Sequence, residues 1–126
     1  MKKHSITIGG REFPLAFTLH TMIRMEREIE GFDFANIMEL VRKPAGMLDM
    51  LYCLAETGAA LDGGQLDVDR EWMSLRIPVS LKKMSEMQVE IMETLSDGMS
   101  METDTEDDEE VDVVLEEIKK KEAAES

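Results

Sequence analysis

The residue types that most often carry out chemistry are rare in this sequence. Its two histidines are His4 and His20, and no second histidine or cysteine stands at metal-ligand spacing from either of them. Cys53 is the one cysteine, and no recognisable nucleophile motif surrounds it, so we expect it to be a small core residue. We therefore predict no catalytic residue, no metal site and no cofactor.

Two glycine-containing segments deserve a test against known binding loops. Aspartates stand beside glycines as in an EF-hand, but the twelfth position of such a loop requires a bidentate acid. A loop starting at Asp62 has Met73 at that position, and one starting at Asp67 has Pro78. The two Gly-Gly pairs lack the spacing of phosphate-binding loops and indicate turns. The sequence thus favours an interaction protein over an enzyme.

The N-terminal segment predicts a β-hairpin. Apolar residues alternate with other residues on both sides of Gly9-Gly10, which is the period of two typical of paired strands joined by a tight turn. Pro14 cannot donate to a strand ladder, so the second strand should lie at an edge. The alternating apolar residues are Ile6, Ile8, Phe13, Leu15 and Phe17.

The rest of the first 100 residues has helical periodicity. The fold class predicted is therefore mainly α with a short N-terminal β-hairpin. The predicted helices run from Thr18 to about Glu30, from Asp33 to before Pro44, from Ala45 to about Thr57, through Trp72 to Leu75 after an Asp69 cap, and from Ser80 to about Met99. The first should bury Leu19, Met22, Ile23 and Ile29, and the third should end at Gly58.

The charge divides the chain into two parts. The 126 residues include 14 Lys plus Arg and 28 Asp plus Glu, which gives a net charge of −14. Residues 101–126 hold 12 acids and 3 bases, so 9 of the 14 excess negative charges lie there. We predict a helical domain at 1–100 and an acidic tail at 101–126.

The negative charge also excludes classes of partner. A polyanion repels the phosphates of nucleic acids and the headgroups of anionic lipids, because binding to them depends largely on Lys and Arg. No stretch approaches the roughly 18 apolar residues of a membrane span. We therefore expect no direct nucleic-acid or membrane binding. Since a single cysteine allows no intramolecular disulfide, the reducing cytoplasm is the location expected.

The tail contains a second pattern beyond its charge. Residues 102–112 include eight acids and no base, a composition that does not sustain a core. Val111, Val114, Leu115 and Ile118 then recur at helical spacing. This pattern is compatible with a short helix that forms when it finds a groove, in this protein or a partner, and equally with a frayed tail.

Methionine is unusually frequent, with 12 residues of this type among 126. Methionine fills irregular gaps in cores, and it also suits surfaces that meet variable partners. Both interpretations stay open. If the second holds, a helix-in-groove mode is expected. The candidate partner-binding residues are Met84, Met87, Ile91, Met92 and Leu95 on the last helix, and Val111, Val114, Leu115 and Ile118 in the tail.

The order of these elements resembles a known family. The stretch 6–19, with an apolar strand, a Gly-Gly turn and a Phe-Pro-Leu strand, precedes a helix that closes with Arg27-Glu28-Ile29-Glu30-Gly31. Leu61, Trp72 and a long final helix follow. This arrangement resembles the tail assembly chaperones of long-tailed bacteriophages and related prophages over roughly residues 5–100.

The resemblance implies a function and a set of partners. Members of that family bind the tape-measure protein, keep its long hydrophobic helices soluble and recruit tail-tube (major tail) subunits in the host cytoplasm. Self-association stays open. Several members also have a longer form made by ribosomal frameshifting, and Lys119-Lys120-Lys121 is compatible with a slippery adenine run.

An alternative of another class is an acidic adaptor or DNA mimic that occupies a basic groove of a nucleic-acid enzyme. The acid run 102–112 motivates it. Mimicry requires carboxylates held at phosphate-like spacing on a rigid scaffold, whereas these stand in a predicted tail. The chaperone hypothesis is therefore preferred.

Overall fold

A computed structural model describes residues 3–100, which form a hairpin followed by five helices. The fold is therefore mainly α with a short N-terminal β-hairpin, as predicted. No helix in this described part combines the length and apolarity that crossing a membrane requires. The elements are β1 (His4–Ile8), β2 (Arg11–Leu15), α1 (Leu19–Glu28), a 3-10 turn (Phe34–Asn36), α2 (Ile37–Arg42), α3 (Pro44–Leu61), α4 (Arg70–Arg76) and α5 (Leu81–Ser100).

The hairpin is antiparallel and pairs Ile6 with Phe13. Gly9 and Gly10 both have positive φ, 57° and 79°, which is the backbone of a two-residue turn of type I′. Because side chains alternate between the faces of a strand, Ile6, Ile8, Phe13 and Leu15 fall on one buried face, and Phe17 just after β2 is also buried. This face is covered by helices, as a lone hairpin requires for stability.

Helix α3 is the central element, since it contacts β2 and the other four helices. Met50, Leu51 and Leu54 on this helix are fully buried. The N–H of Ala16 just after β2 donates to the Leu54 carbonyl at 3.2 Å, so the strand end lies directly on the helix. The predicted end of this helix at Gly58 is wrong, because α3 continues to Leu61.

The buried face of α1 differs from the predicted one. Leu19 and Ile23 are exposed, whereas Thr21 and Met25 are buried. The Thr21 hydroxyl lies 2.6 Å from the Thr57 hydroxyl of α3, and the two share a buried hydrogen bond. Ile29 is buried and Met22 packs against the core, as predicted, so the apolar pattern located part of the buried face and missed the polar pair.

Helix starts follow the predicted caps. The Asp69 carboxylate accepts a hydrogen bond from the Trp72 N–H at 2.8 Å at the start of α4. Thr18 precedes α1, and its N–H donates to Thr21 Oγ1 at 3.0 Å. These contacts satisfy backbone groups that the first turn of a helix leaves without an internal partner.

Ion pairs tie α1 and α4 to α3. Arg24 Nε lies 2.7 Å from Glu56 Oε1, and Arg70 Nε lies 2.9 Å from Asp49 Oδ1. Both arginines also pair with Glu28. Since all five side chains are partly exposed, the network orients the helices more than it stabilises them.

Candidate partner-binding groove

Helix α5 carries the five predicted partner-binding residues of the domain, and the structure divides them. Met87, Ile91 and Leu95 are buried in the core, on the face where α5 meets β1, α3 and α2. Met84 and Met92 are half-buried and pack against the edge of that core. In this conformation only the latter two have surface left for a partner.

The four predicted residues of the tail, Val111, Val114, Leu115 and Ile118, lie outside the described residues. The same holds for the acid run 102–112 and for the lysines at 119–121. Their partner-binding role therefore stays a prediction.

An apolar groove of about 570 Å³ runs between α2 and α5. Val41 is buried at its floor, while Met38 and Val89 are 41% and 54% exposed. The lining residues are Met38, Val41, Arg42, Gln88, Val89, Met92, Glu93 and Ser96.

One hydrogen bond joins the two helices across the groove. Gln88 Nε2 donates to the Val41 carbonyl at 3.3 Å, near the end of α2 where carbonyls lack helical partners. Arg42 and Glu93 add one charge of each sign to the lining. A groove with an apolar floor and mixed charges suits the apolar face of an amphipathic helix.

The sequence pointed to this groove only in part. Met92 was among the predicted partner-binding residues, whereas Met38 was not, and neither was Val89, which widens the apolar stripe of α5. The available signal was the breadth of that stripe, which exceeds what one buried face requires. The position of α2 decides which edge of the α5 stripe remains uncovered.

A second concavity, of about 360 Å³, includes His20, Arg24 and Glu56 in its lining. Arg24 and Glu56 pair with each other at 2.7 Å, so the carboxylate is already engaged by a cation. This concavity is the smaller of the two, and its charged groups serve the contact between α1 and α3. The groove between α2 and α5 is the better candidate for a binding site.

His4 occupies an environment that the sequence did not predict. Its imidazole is buried against α5, with Nδ1 at 3.0 Å from Glu90 Oε1 and Nε2 in contact with Asp97 Oδ2. Burial lowers the pKa of His4, but the hydrogen bonds that the imidazole donates to Asp97 and Glu90, and the charges of these carboxylates, raise it by more, so the pKa lies above its usual value. These partners are 86 and 93 positions away in sequence, so local spacing could not reveal them.

Cys53 is buried in α3, as expected of a core residue. Burial is the main cause that raises the pKa of its thiol to about 12, and the nearby Glu28 carboxylate adds to the shift. Because the thiolate is the reactive form, we expect Cys53 to be inert towards a thiol reagent such as DTNB at pH 8.

The measurement is the release of thionitrobenzoate by the folded protein and by the protein in concentrated urea. We expect one equivalent of thiol per chain to react in urea, and almost none in the same time without it. Rapid reaction of the folded protein would contradict the burial of Cys53.

Comparisons of the chain with protein-family models, with curated proteins and with solved structures find no match.

Proposed function

We propose that this protein is a tail assembly chaperone of a long-tailed bacteriophage or prophage. In this role it binds apolar helices of the tape-measure protein, keeps them soluble in the host cytoplasm and helps to recruit tail-tube subunits. It acts by binding, without catalysis. The observation that carries the proposal is the apolar groove between α2 and α5, which is open to solvent beside the hydrophobic core.

The groove supports a helix-in-groove mechanism. A client helix would place apolar side chains, spaced three or four residues apart, over Val41 and between Met38 and Met92. Methionine side chains are unbranched and polarisable, so they adapt to clients of different shape. That property suits a chaperone, which must hold many turns of a long helical client.

Charge supports the same role in two ways. Arg42 at the groove can meet an acidic residue that flanks the apolar stripe of a client, which fixes the register of the client more than it adds affinity. The net charge of −14 keeps a complex with a hydrophobic client soluble. The acid run that motivates the DNA-mimic alternative lies outside the described residues, and no observation on residues 3–100 favours that alternative.

The test is co-expression with the tape-measure protein encoded in the same genome. We expect that protein to be soluble with this chain and insoluble without it. Val89→Asp places a carboxylate in the apolar groove, and we expect it to weaken client binding at least ~10-fold because the charge must be desolvated. Equal insolubility of the tape-measure protein with and without this chain would overturn the proposed function.

Leu81→Asp is the matched control, since Leu81 is also an apolar residue of α5, is 91% exposed and does not line the groove. We expect this variant to keep the tape-measure protein soluble. If both variants fail equally, or both bind as well as the unsubstituted chain, the groove is not the site that holds the client.

A further inference from the structure

A cluster of potential metal ligands lies where the hairpin meets α5. His4 of β1 and the carboxylates of Glu90 and Glu93 each offer one ligand atom, and the three atoms lie within 4.8 Å of one another. Glu90 and Glu93 are three residues apart on α5, so they share one face of the helix. The hairpin brings the imidazole to that face.

The surroundings of His4 are those of a ligating histidine. A histidine that binds a metal through one ring nitrogen almost always donates its other N–H to a carboxylate or carbonyl, which fixes its tautomer and its direction. Here Nε2 contacts Asp97 Oδ2, and the side chain is buried, so the ring is held in place. The Nδ1 atom is then the one directed at Glu90 and the shared space.

The space between Nδ1 and Glu90 can hold a cation. In the metal-free protein a proton on Nδ1 accounts for the 3.0 Å contact with the carboxylate oxygen, and a metal ion that displaces this proton takes its place between the same two atoms. Two such acceptors come this close when a proton or a metal ion lies between them. Donor atoms that each lie about 2.0 to 2.2 Å from a zinc ion are about 3 to 3.5 Å apart, which this distance matches.

We propose that His4, Glu90 and Glu93 bind a divalent transition-metal ion of the zinc class, with Asp97 as a positioning residue on the imidazole. The ligands are His4 Nδ1 and one oxygen from each glutamate, and water completes the coordination. A nitrogen ligand favours zinc, cobalt or nickel over magnesium and calcium, which prefer oxygen alone. The bound ion ties β1 to α5, and so it ties the two ends of the described domain together.

The test uses the full chain, stripped of metal with EDTA and returned to EDTA-free buffer. Calorimetric titration with ZnCl2 should give one site that is lost, at least ~10-fold in affinity, in Glu93→Gln and in His4→Gln. Zinc in 100-fold excess over its Kd should raise Tm by at least about 5 °C, and magnesium at the same concentration should not. Cobalt should show visible absorption bands that the two variants lack.

Three further variants separate this site from general binding to acidic groups. Asp97→Asn should weaken zinc binding ~10-fold while keeping the one-site stoichiometry, because it only misdirects the imidazole. Glu86→Gln on the same helix and His20→Gln, the other histidine, should bind zinc as the unsubstituted chain does. Glu93 is exposed, so its variant should fold even if the His4 variant does not.

Two results would overturn the proposal. One is a titration of the unsubstituted chain that shows no single zinc site, which would leave a protonated imidazole between the carboxylates. The other is unchanged zinc binding by Glu93→Gln, which would place the ion on other acidic groups of the chain.

Discussion

Replacing Gly58 with alanine is expected to lower the free energy of unfolding by at least about 3 kcal/mol, at the upper end of what overpacking costs. A Cβ atom at this position would lie 2.0 Å from the Pro14 carbonyl oxygen and 2.9 Å from the Leu15 amide nitrogen. These are backbone atoms of β2, so they cannot rotate away as a flexible side chain does. The strand and α3 would have to separate, and they form part of the centre of the fold.

The intrinsic preference of the residue acts in the opposite direction. Alanine is favoured over glycine inside a helix by about 1 kcal/mol, so the measured loss is the steric cost minus this gain. Urea unfolding followed by circular dichroism measures the difference. Gly64→Ala is the control, because its nearest new contact is the Ala59 carbonyl at 3.8 Å, and we expect a change within about 0.5 kcal/mol. A stable Gly58→Ala protein would contradict the contact between α3 and β2.

The same glycine shows where sequence analysis loses information. The hairpin and the caps at Thr18 and Asp69 depend on neighbouring residues, so their patterns were sufficient to predict them. Gly58 has the intrinsic preference of a helix stop, but tertiary packing overrides that preference where a backbone must come close. A glycine that ends a helix and one that admits a strand are identical in sequence, and only the position of Pro14 distinguishes them.

Long-range polar contacts account for the other differences. The face of α1 is set by the pair of Thr21 and Thr57, and the environment of His4 is set by carboxylates of α5. Neither contact can be recognised from the spacing of apolar residues along the sequence. The groove also depends on tertiary structure. Its floor residue, Val41, has the spacing of an ordinary core residue in the sequence, and only the position of α5 beside it shows that it lines a groove. The sequence predicts the elements well, and the uncovered surface between them only partly.

Replacing Ile91 with alanine is expected to lower the free energy of unfolding by about 2 to 5 kcal/mol, since it removes a fully buried side chain and leaves a cavity. Ile91 was predicted from sequence to contact a partner, so this variant separates two roles for the same residue. A core residue affects stability whether or not a client is present. The first measurement is again urea unfolding of the protein alone. The second is client binding in buffer without urea, at a temperature where the variant is folded.

Val89→Ala is the matched control, because Val89 lies two residues earlier on α5 and is more than half exposed. We expect it to change stability by less than about 0.5 kcal/mol, as is usual for surface positions. The proposed groove assigns client contact to Val89 and structural support to Ile91, so the folded Ile91 variant should bind a client with nearly unchanged affinity. An Ile91 variant that is as stable as the unsubstituted chain, yet no longer binds, would reverse this assignment and place the client on the face of α5 that packs here against the core.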